Sequence, residues 1–305
     1  MKRIVLAIAA ILVVAISSCH RFEGPSVPAY IYIDTCYLSS NYYTTGANTH
    51  NITDVWVYVD DQTIGCYEIP ATVPILQHGK HKLSLRGGIK VNGITATRSW
   101  YPFLKTLDYE EFDLIADSVQ RIRPTFEYYD ANTVHVAWME DFESAAVSFT
   151  PTSQSDTNII RTNDPSEAYV SNYSSFSGKA ILPAGDSTTC TIASFSEFTN
   201  LPTTGSACML EVDYKSSLDT LTVGVIYSLN NTVTQYPLLN LNSTDTTNDI
   251  PANRWRKVYV NIGPIVVANS TAEYFKIYFE AHNDGEKTKY FYLDNIKLLY
   301  RDTYN

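Results

Sequence analysis

Across residues 54–60, DVWVYVD, apolar positions alternate: Val55, Val57 and Val59 fall on one side of the chain, Trp56 and Tyr58 on the other. A period of two predicts a strand with one face toward a core. The pattern returns in AYIYIDTCYL, TIGCYEI, HKLSL, ITATRSWYPF and YEEFDLI. Asp60 and Asp61 close the first of these runs and predict a tight hairpin. From about Val134 onward a second series follows: WMEDFESAAVSF, SNYSSFSGKAIL, ACMLEVDYKSS, TLTVGVIYSL, RWRKVYVNIG, EYFKIYFEAH and YFYLDNIKLLY. Turn residues separate them, and few windows carry a period of 3.6. The pattern predicts an all-β protein in two modules, residues 29–131 and 132–305.

One segment breaks the pattern. Lys2 and Arg3 precede thirteen apolar residues, Ile4 to Ile16, then Ser17, Ser18 and Cys19. As a helix this run would rise only about 20 Å, short of a hydrocarbon core of roughly 30 Å. It therefore reads as a secretory signal peptide over residues 1–18 rather than a spanning helix. Ile16-Ser17-Ser18-Cys19 resembles a bacterial lipobox. The resemblance implies that Cys19 becomes the acylated N-terminus, followed by a tether over residues 19–28 that holds the protein to the membrane through its acyl chains.

Composition adds two constraints. The 305-residue chain carries a net charge of −10, and loss of Lys2 and Arg3 makes the balance more acidic. An acidic surface argues against nucleic acid as a partner. Of five cysteines, four remain once Cys19 is assigned to lipid: Cys36, Cys66, Cys190 and Cys208. Four cysteines allow three pairings. Within the proposed modules the pairing is Cys36–Cys66 and Cys190–Cys208, against the alternative of buried free thiols.

The run VYVDDQTIGCYEIPATVPILQHGKHKLSL resembles the small immunoglobulin-like sandwiches of the PEGA and carboxypeptidase-regulatory type. Val59, Asp60, Gly65, Pro74, Gly79 and His81 stand at the matching places. The second series resembles the jelly-roll sandwich of carbohydrate-binding modules and MAM-like domains, with an opening DFE, a central SGK-A and a closing LDNI. Together they imply an Ig-like β-sandwich followed by a jelly-roll β-sandwich, modules that mostly bind or space rather than catalyse. In several such jelly rolls the first and last strands share a structural calcium. The matching residues here are Asp141, Glu143 and Asp294, and Ca²⁺ requires six to eight oxygen ligands.

No HExxH, GxSxG, P-loop or GxGxxG is present. The histidine pair His78 and His81 straddles a turn, and zinc there would need two more ligands. Exposed aromatic rings stack on the C–H faces of sugars, and Trp100 and Tyr101 in SWYPF and Trp255 in RWRKV are the candidates for ligand binding. Asp117-Ser118-Val119, Asp186-Ser187-Thr188, Asp219-Thr220-Leu221 and Asp245-Thr246-Thr247 resemble the O-glycosylation triplet of exported Bacteroidota proteins. The expectation is a non-catalytic, lipid-anchored protein of the bacterial outer membrane whose jelly roll binds glycan. The alternative is an accessory subunit of an outer-membrane assembly that binds an envelope protein.

Overall fold

The computed structural model describes residues 27–244 and 254–302. Cys19 and its leader lie outside the described residues, as does the triplet beginning at Asp245. In the first module the strands are β1 (Ala29–Ile33), β2 (Tyr37–Ser39), β3 (Asp54–Val59), β4 (Gln62–Glu68), β5 (Ala71–Ile75), β6 (Gly79–Lys90), β7 (Arg98–Trp100), β8 (Leu107–Leu114), β9 (Val119–Ile122) and β10 (Thr125–Glu127). Val55, Val57 and Val59 of β3 are all buried, as their alternation requires. Asp60 and Asp61 take φ of 48° and 62°, the left-handed values a two-residue hairpin needs between Val59 and Gln62. One sheet runs β4-β3-β6-β7, with β8 also on β6. Opposite it β1 pairs antiparallel with β5 and parallel with β9, while β2 pairs with β10. The module is an Ig-like sandwich.

The second module comprises β11 (Val134–Glu140), β12 (Phe149–Pro151), β13 (Ile159–Thr162), β14 (Ser177–Leu182), β15 (Thr188–Ser194), β16 (Cys208–Ser216), β17 (Thr220–Leu229), β18 (Thr232–Asn242), β19 (Arg256–Asn261), β20 (Tyr274–Asn283) and β21 (Lys289–Arg301). A six-stranded sheet, β13-β14-β21-β16-β19 with β11 on β21, faces a five-stranded sheet, β12-β15-β20-β17-β18. Leu210, Val212, Leu293 and Leu298 from one sheet meet Ile192, Val223, Val225, Ile277 and Phe279 from the other in a single core. This is the jelly-roll sandwich. Among the described residues two short helices interrupt the strands, α1 (Tyr42–Thr45) and α2 (Gly263–Ala268).

The outer face of the six-stranded sheet is not open to solvent. Met209, Tyr259 and Leu299 leave the jelly roll on that side and join the core of the first module. Between them lies a buried ionic group. Glu211, fully buried, accepts hydrogen bonds from the hydroxyls of Tyr101 (2.6 Å) and Tyr128 (2.7 Å). Its other oxygen lies 3.0 Å from Lys257 Nζ and 3.9 Å from Lys297 Nζ. Lys257 donates to Thr49 Oγ1 (3.0 Å), and Lys297 donates to the Ala47 carbonyl (2.7 Å). Burial alone would push the Glu211 carboxyl up, but Lys257, Lys297 and the two hydroxyls outweigh it and hold it down at about 2. Burial lowers the Lys297 ammonium to about 8. The two modules therefore meet through a buried, ion-paired seam.

The expected disulfides are absent: Cys36, Cys66, Cys190 and Cys208 are free thiols. Cys190 and Cys208 sit on opposite sheets and pack as small apolar side chains in the jelly-roll core. Cys36 belongs to the core of the first module, while Cys66 is half-buried on β4. Burial pushes the thiols of Cys36, Cys190 and Cys208 up to about 12, which keeps them protonated and unreactive.

Candidate functional site

Residues 41–46, NYYTTG, form one helical turn on the first module. Asn41 caps it by accepting the Tyr43 amide (3.0 Å), and Gly46, at φ 72°, ends it. The turn projects Tyr42 and Tyr43 toward the jelly roll. There the segment between β13 and β14 supplies Tyr173, whose ring stacks on Tyr42 with centroids 5.2 Å apart and planes 18° apart. Tyr43 meets Tyr42 edge-on at 5.6 Å. Tyr43 is 87% exposed and Tyr173 61% exposed. The result is an aromatic platform built from both modules, with Tyr42 as its half-buried centre.

The acids of the DFE and LDN stretches hold this platform in place. Asp141 accepts the Tyr42 hydroxyl (2.6 Å) through one oxygen and the Glu143 amide (3.1 Å) through the other. Burial, then that bond to Asp141, raises the Tyr42 hydroxyl well above its ordinary value, so it stays a donor. Glu143 reaches into the segment carrying Tyr173 and accepts the amides of Ser175 and Phe176 (2.7 Å each). Asp294 accepts the hydroxyls of Ser177 (2.6 Å) and Ser174 (3.3 Å), and burial pushes its carboxyl up to about 8. Phe142 takes φ 58° between the two acids, an unusual conformation for a bulky residue, and Asn295 takes φ 47° after Asp294. Gly178 of SGK leaves room for the Phe142 ring, which a Cβ there would overlap. Arg161 finishes the corner, donating to the Phe142 (2.6 Å) and Glu143 (3.1 Å) carbonyls while lying 3.9 Å over the Phe176 ring.

The three residues expected to hold calcium are thus brought to one corner but occupied otherwise. Among the described residues no group of three or more His, Cys, Asp or Glu is arranged to hold a metal ion. Their oxygens accept amides and hydroxyls of the chain, which does not fit the six to eight oxygen ligands of Ca²⁺.

Two clefts adjoin α1. The larger, of about 610 Å³, opens between the modules and is lined by Thr44, Thr45, Tyr129, His135, Asn200 and Tyr300, among others. His135 stacks on Tyr300 at 4.9 Å, and its Nε2 lies 2.8 Å from Asp302. The second, of about 420 Å³, shares Thr44, Thr45 and Tyr129 and adds Ser39, Ser40, Asn41 and Glu127.

The sequence-predicted ligand residues are not brought together. Trp100 lies on the outer face of the first module with the Arg86 guanidinium 5.3 Å from its ring, a cation–π contact that occupies one side. Tyr101 is 2% exposed and donates to Glu211, so it belongs to the seam between the modules and is not a binding residue. Trp255 is half-buried, edge-on to Tyr169 (5.7 Å), and lines a separate polar cleft of about 610 Å³ with Asn92, Asn240 and Asn242. His81 binds Asp60 (2.6 Å) at the hairpin rather than a metal. Tyr42, Tyr43 and Tyr173 were missed by sequence reasoning. Their signal was NYY and SNYSS, tyrosines set among Asn and Ser as in adaptable binding loops.

No family model matches the chain, and no curated protein matches it in sequence. Among solved structures it is similar to a carbohydrate-binding module of the β-sandwich superfamily described for promiscuous specificity (TM-score 0.40, 12% identity, 80% of this chain and 84% of that one). It is also similar to the CBM22-1 xylan-binding domain of Paenibacillus barcinonensis Xyn10C (TM-score 0.39, 11% identity, 57% of this chain and 100% of that one). A third is an arabinose-bound GH51 α-L-arabinofuranosidase (TM-score 0.38, 15% identity), of which the chain spans 26% and which covers 57% of this chain.

Proposed function

We propose that the protein is a non-catalytic, glycan-binding lipoprotein of the bacterial outer membrane. The observation that carries the binding role is the Tyr42–Tyr43–Tyr173 platform, exposed yet fixed by side chains from both modules. Tyr offers a large, rigid ring at low entropic cost, and ring faces of this kind stack on the apolar C–H faces of sugars. The Ile16-Ser17-Ser18-Cys19 stretch supports the anchor, with acyl chains on Cys19 entering the membrane. The test is a glycan array probed with residues 20–305, followed by titration calorimetry. Tyr43→Ala and Tyr173→Ala should each weaken the glycan bound by about tenfold, roughly 1.4 kcal/mol. Binding unchanged in both variants would reject the platform.

A second reading has one specific observation in its favour. β18 is the edge of the five-stranded sheet, eleven residues long and without a charged side chain, with Val233 61% and Tyr236 46% exposed. Uncharged edges are templates for strand addition by another protein, although Pro237 removes one donor. An accessory role in an envelope assembly would show as crosslinks from β18 in native membranes together with a silent array.

A further inference from the structure

Taking the platform reading as its basis, we propose that the platform is one end of a longer groove. The groove takes an uncharged glycan chain of several residues and excludes acidic polysaccharides.

The continuity lies in α1. Tyr42 and Tyr43 form the platform, and the next two residues, Thr44 and Thr45, line both adjoining clefts. A chain stacked on Tyr43 therefore has a path past α1 into the space between the modules. Both clefts, about 610 and 420 Å³, fall in the range of roughly 300–1,000 Å³ typical of small-molecule sites. Their lining suits sugars. Ser39, Ser40, Asn41 and Asn200 offer hydroxyl and amide partners, and Tyr129 and Tyr300 offer apolar ring surface.

Charge defines the class of glycan. The residues lining the two clefts include Glu127, Asp130 and Glu197, and no lysine or arginine. The one ionisable nitrogen on the walls, His135, is engaged by Asp302 at 2.8 Å. Lys105 and Lys276, which do not line the clefts, lie 3.7 Å from Glu127 and 3.5 Å from Glu197. Asp141 and Glu143 stand beneath the platform itself. A uronate or sulfate would meet these carboxylates on walls that carry no lysine or arginine of their own. A neutral chain meets acceptors for its hydroxyls instead.

The experiment measures affinity for linear oligosaccharide ladders of two to six residues. Neutral ladders are cello-, xylo-, manno-, malto- and laminari-oligosaccharides; acidic ladders are oligogalacturonates and alginate oligomers. One neutral series should gain tenfold or more in affinity between the dimer and the hexamer, and the acidic series should not bind. Asn200→Trp fills the cleft from its exposed rim and should abolish that gain, so that dimer and hexamer bind with the same affinity. Thr44→Trp should act likewise, and a circular dichroism spectrum matching the parent shows that each variant is folded. Tyr43→Ala should weaken every length. Affinity independent of length but sensitive to Tyr43→Ala would overturn the groove and keep the platform. Binding of an acidic ladder would overturn the charge argument. Silence on all ladders would overturn platform and groove together.

Discussion

Glu211→Gln is the substitution that tests how the modules are joined. The wild-type carboxylate accepts two tyrosine hydroxyls and faces two ammonium groups, all of them buried. Glutamine preserves the shape and one acceptor oxygen but removes the charge. Lys257 then keeps only Asp213, 3.8 Å away, whose own carboxyl burial pushes up. Lys297 keeps no anion within 4 Å among the described residues. Breaking one side of a buried ionic group costs about 3–5 kcal/mol. The loss should fall at the lower end, about 3 kcal/mol, because Lys297 titrates at about 8 and can release its proton. For a chain of this size that is a fall in Tm of about 6–12 °C. Urea denaturation at pH 6 and pH 9 checks it, and the loss should shrink at pH 9, where Lys297 is already neutral. The parent should also respond to acid. Glu211 titrates at about 2 when folded against an ordinary 4.5, so its stabilisation is complete above pH 4.5 and fades as pH falls toward 2. A Glu211→Gln variant within about 1 kcal/mol of the parent at both pH values would refute the seam as a coupled network.

Two further expectations concern the corner beneath the platform. Gly178→Ala places a methyl 2.6 Å from Ile159 Cδ1 and against the Phe142 ring, so stability by urea titration should drop by about 1–3 kcal/mol. A change below about 0.5 kcal/mol would show that Phe142 is free to move. Millimolar Ca²⁺ should leave Tm where EDTA leaves it. A site filled to a hundredfold over its Kd would add about 2.7 kcal/mol, so a rise of about 5 °C would show that Asp141, Glu143 and Asp294 reorganise around an ion.

The all-β class and the two sandwiches were legible because alternation marks a buried face directly, as in Val55, Val57 and Val59. Alternation does not say what covers a face. Met209, Glu211, Asp213 and Lys215 lie on one side of β16 and look like a solvent face with one apolar residue, yet every one is buried. Tyr101 was misplaced for the same reason, since its partner Glu211 is 110 residues away. The stretch SNYSSFSGKAIL alternates well enough to read as one strand, but only Ser177–Leu182 pairs, and 171–176 is held as a loop by Glu143 and Asp294. Tyr42 and Asp141, 99 residues apart, carry no local trace of their contact. Each of these features depends on long-range closure, which a local pattern does not encode.

The acids of DFE and LDN show how a motif can be recognised and its use still differ. An ion shared between terminal strands would tie the ends of the jelly roll together. Here Asp141, Glu143 and Asp294 tie a serine-rich loop and a tyrosine from the neighbouring module to those same strands. The mechanical result is similar, and the consequence for binding is greater. Loops that must order on binding forfeit about 0.5–1.5 kcal/mol for each mobile side chain. Tyr42 has its hydroxyl bonded, and the segment carrying Tyr173 is pinned on both sides of Phe176. The buried seam around Glu211 fixes the two modules that carry those rings. A platform assembled from two modules would be worthless to a ligand if the modules rocked. On this structure the ionic seam and the acid-held loop serve one end, an aromatic surface whose geometry is set by the protein's own contacts.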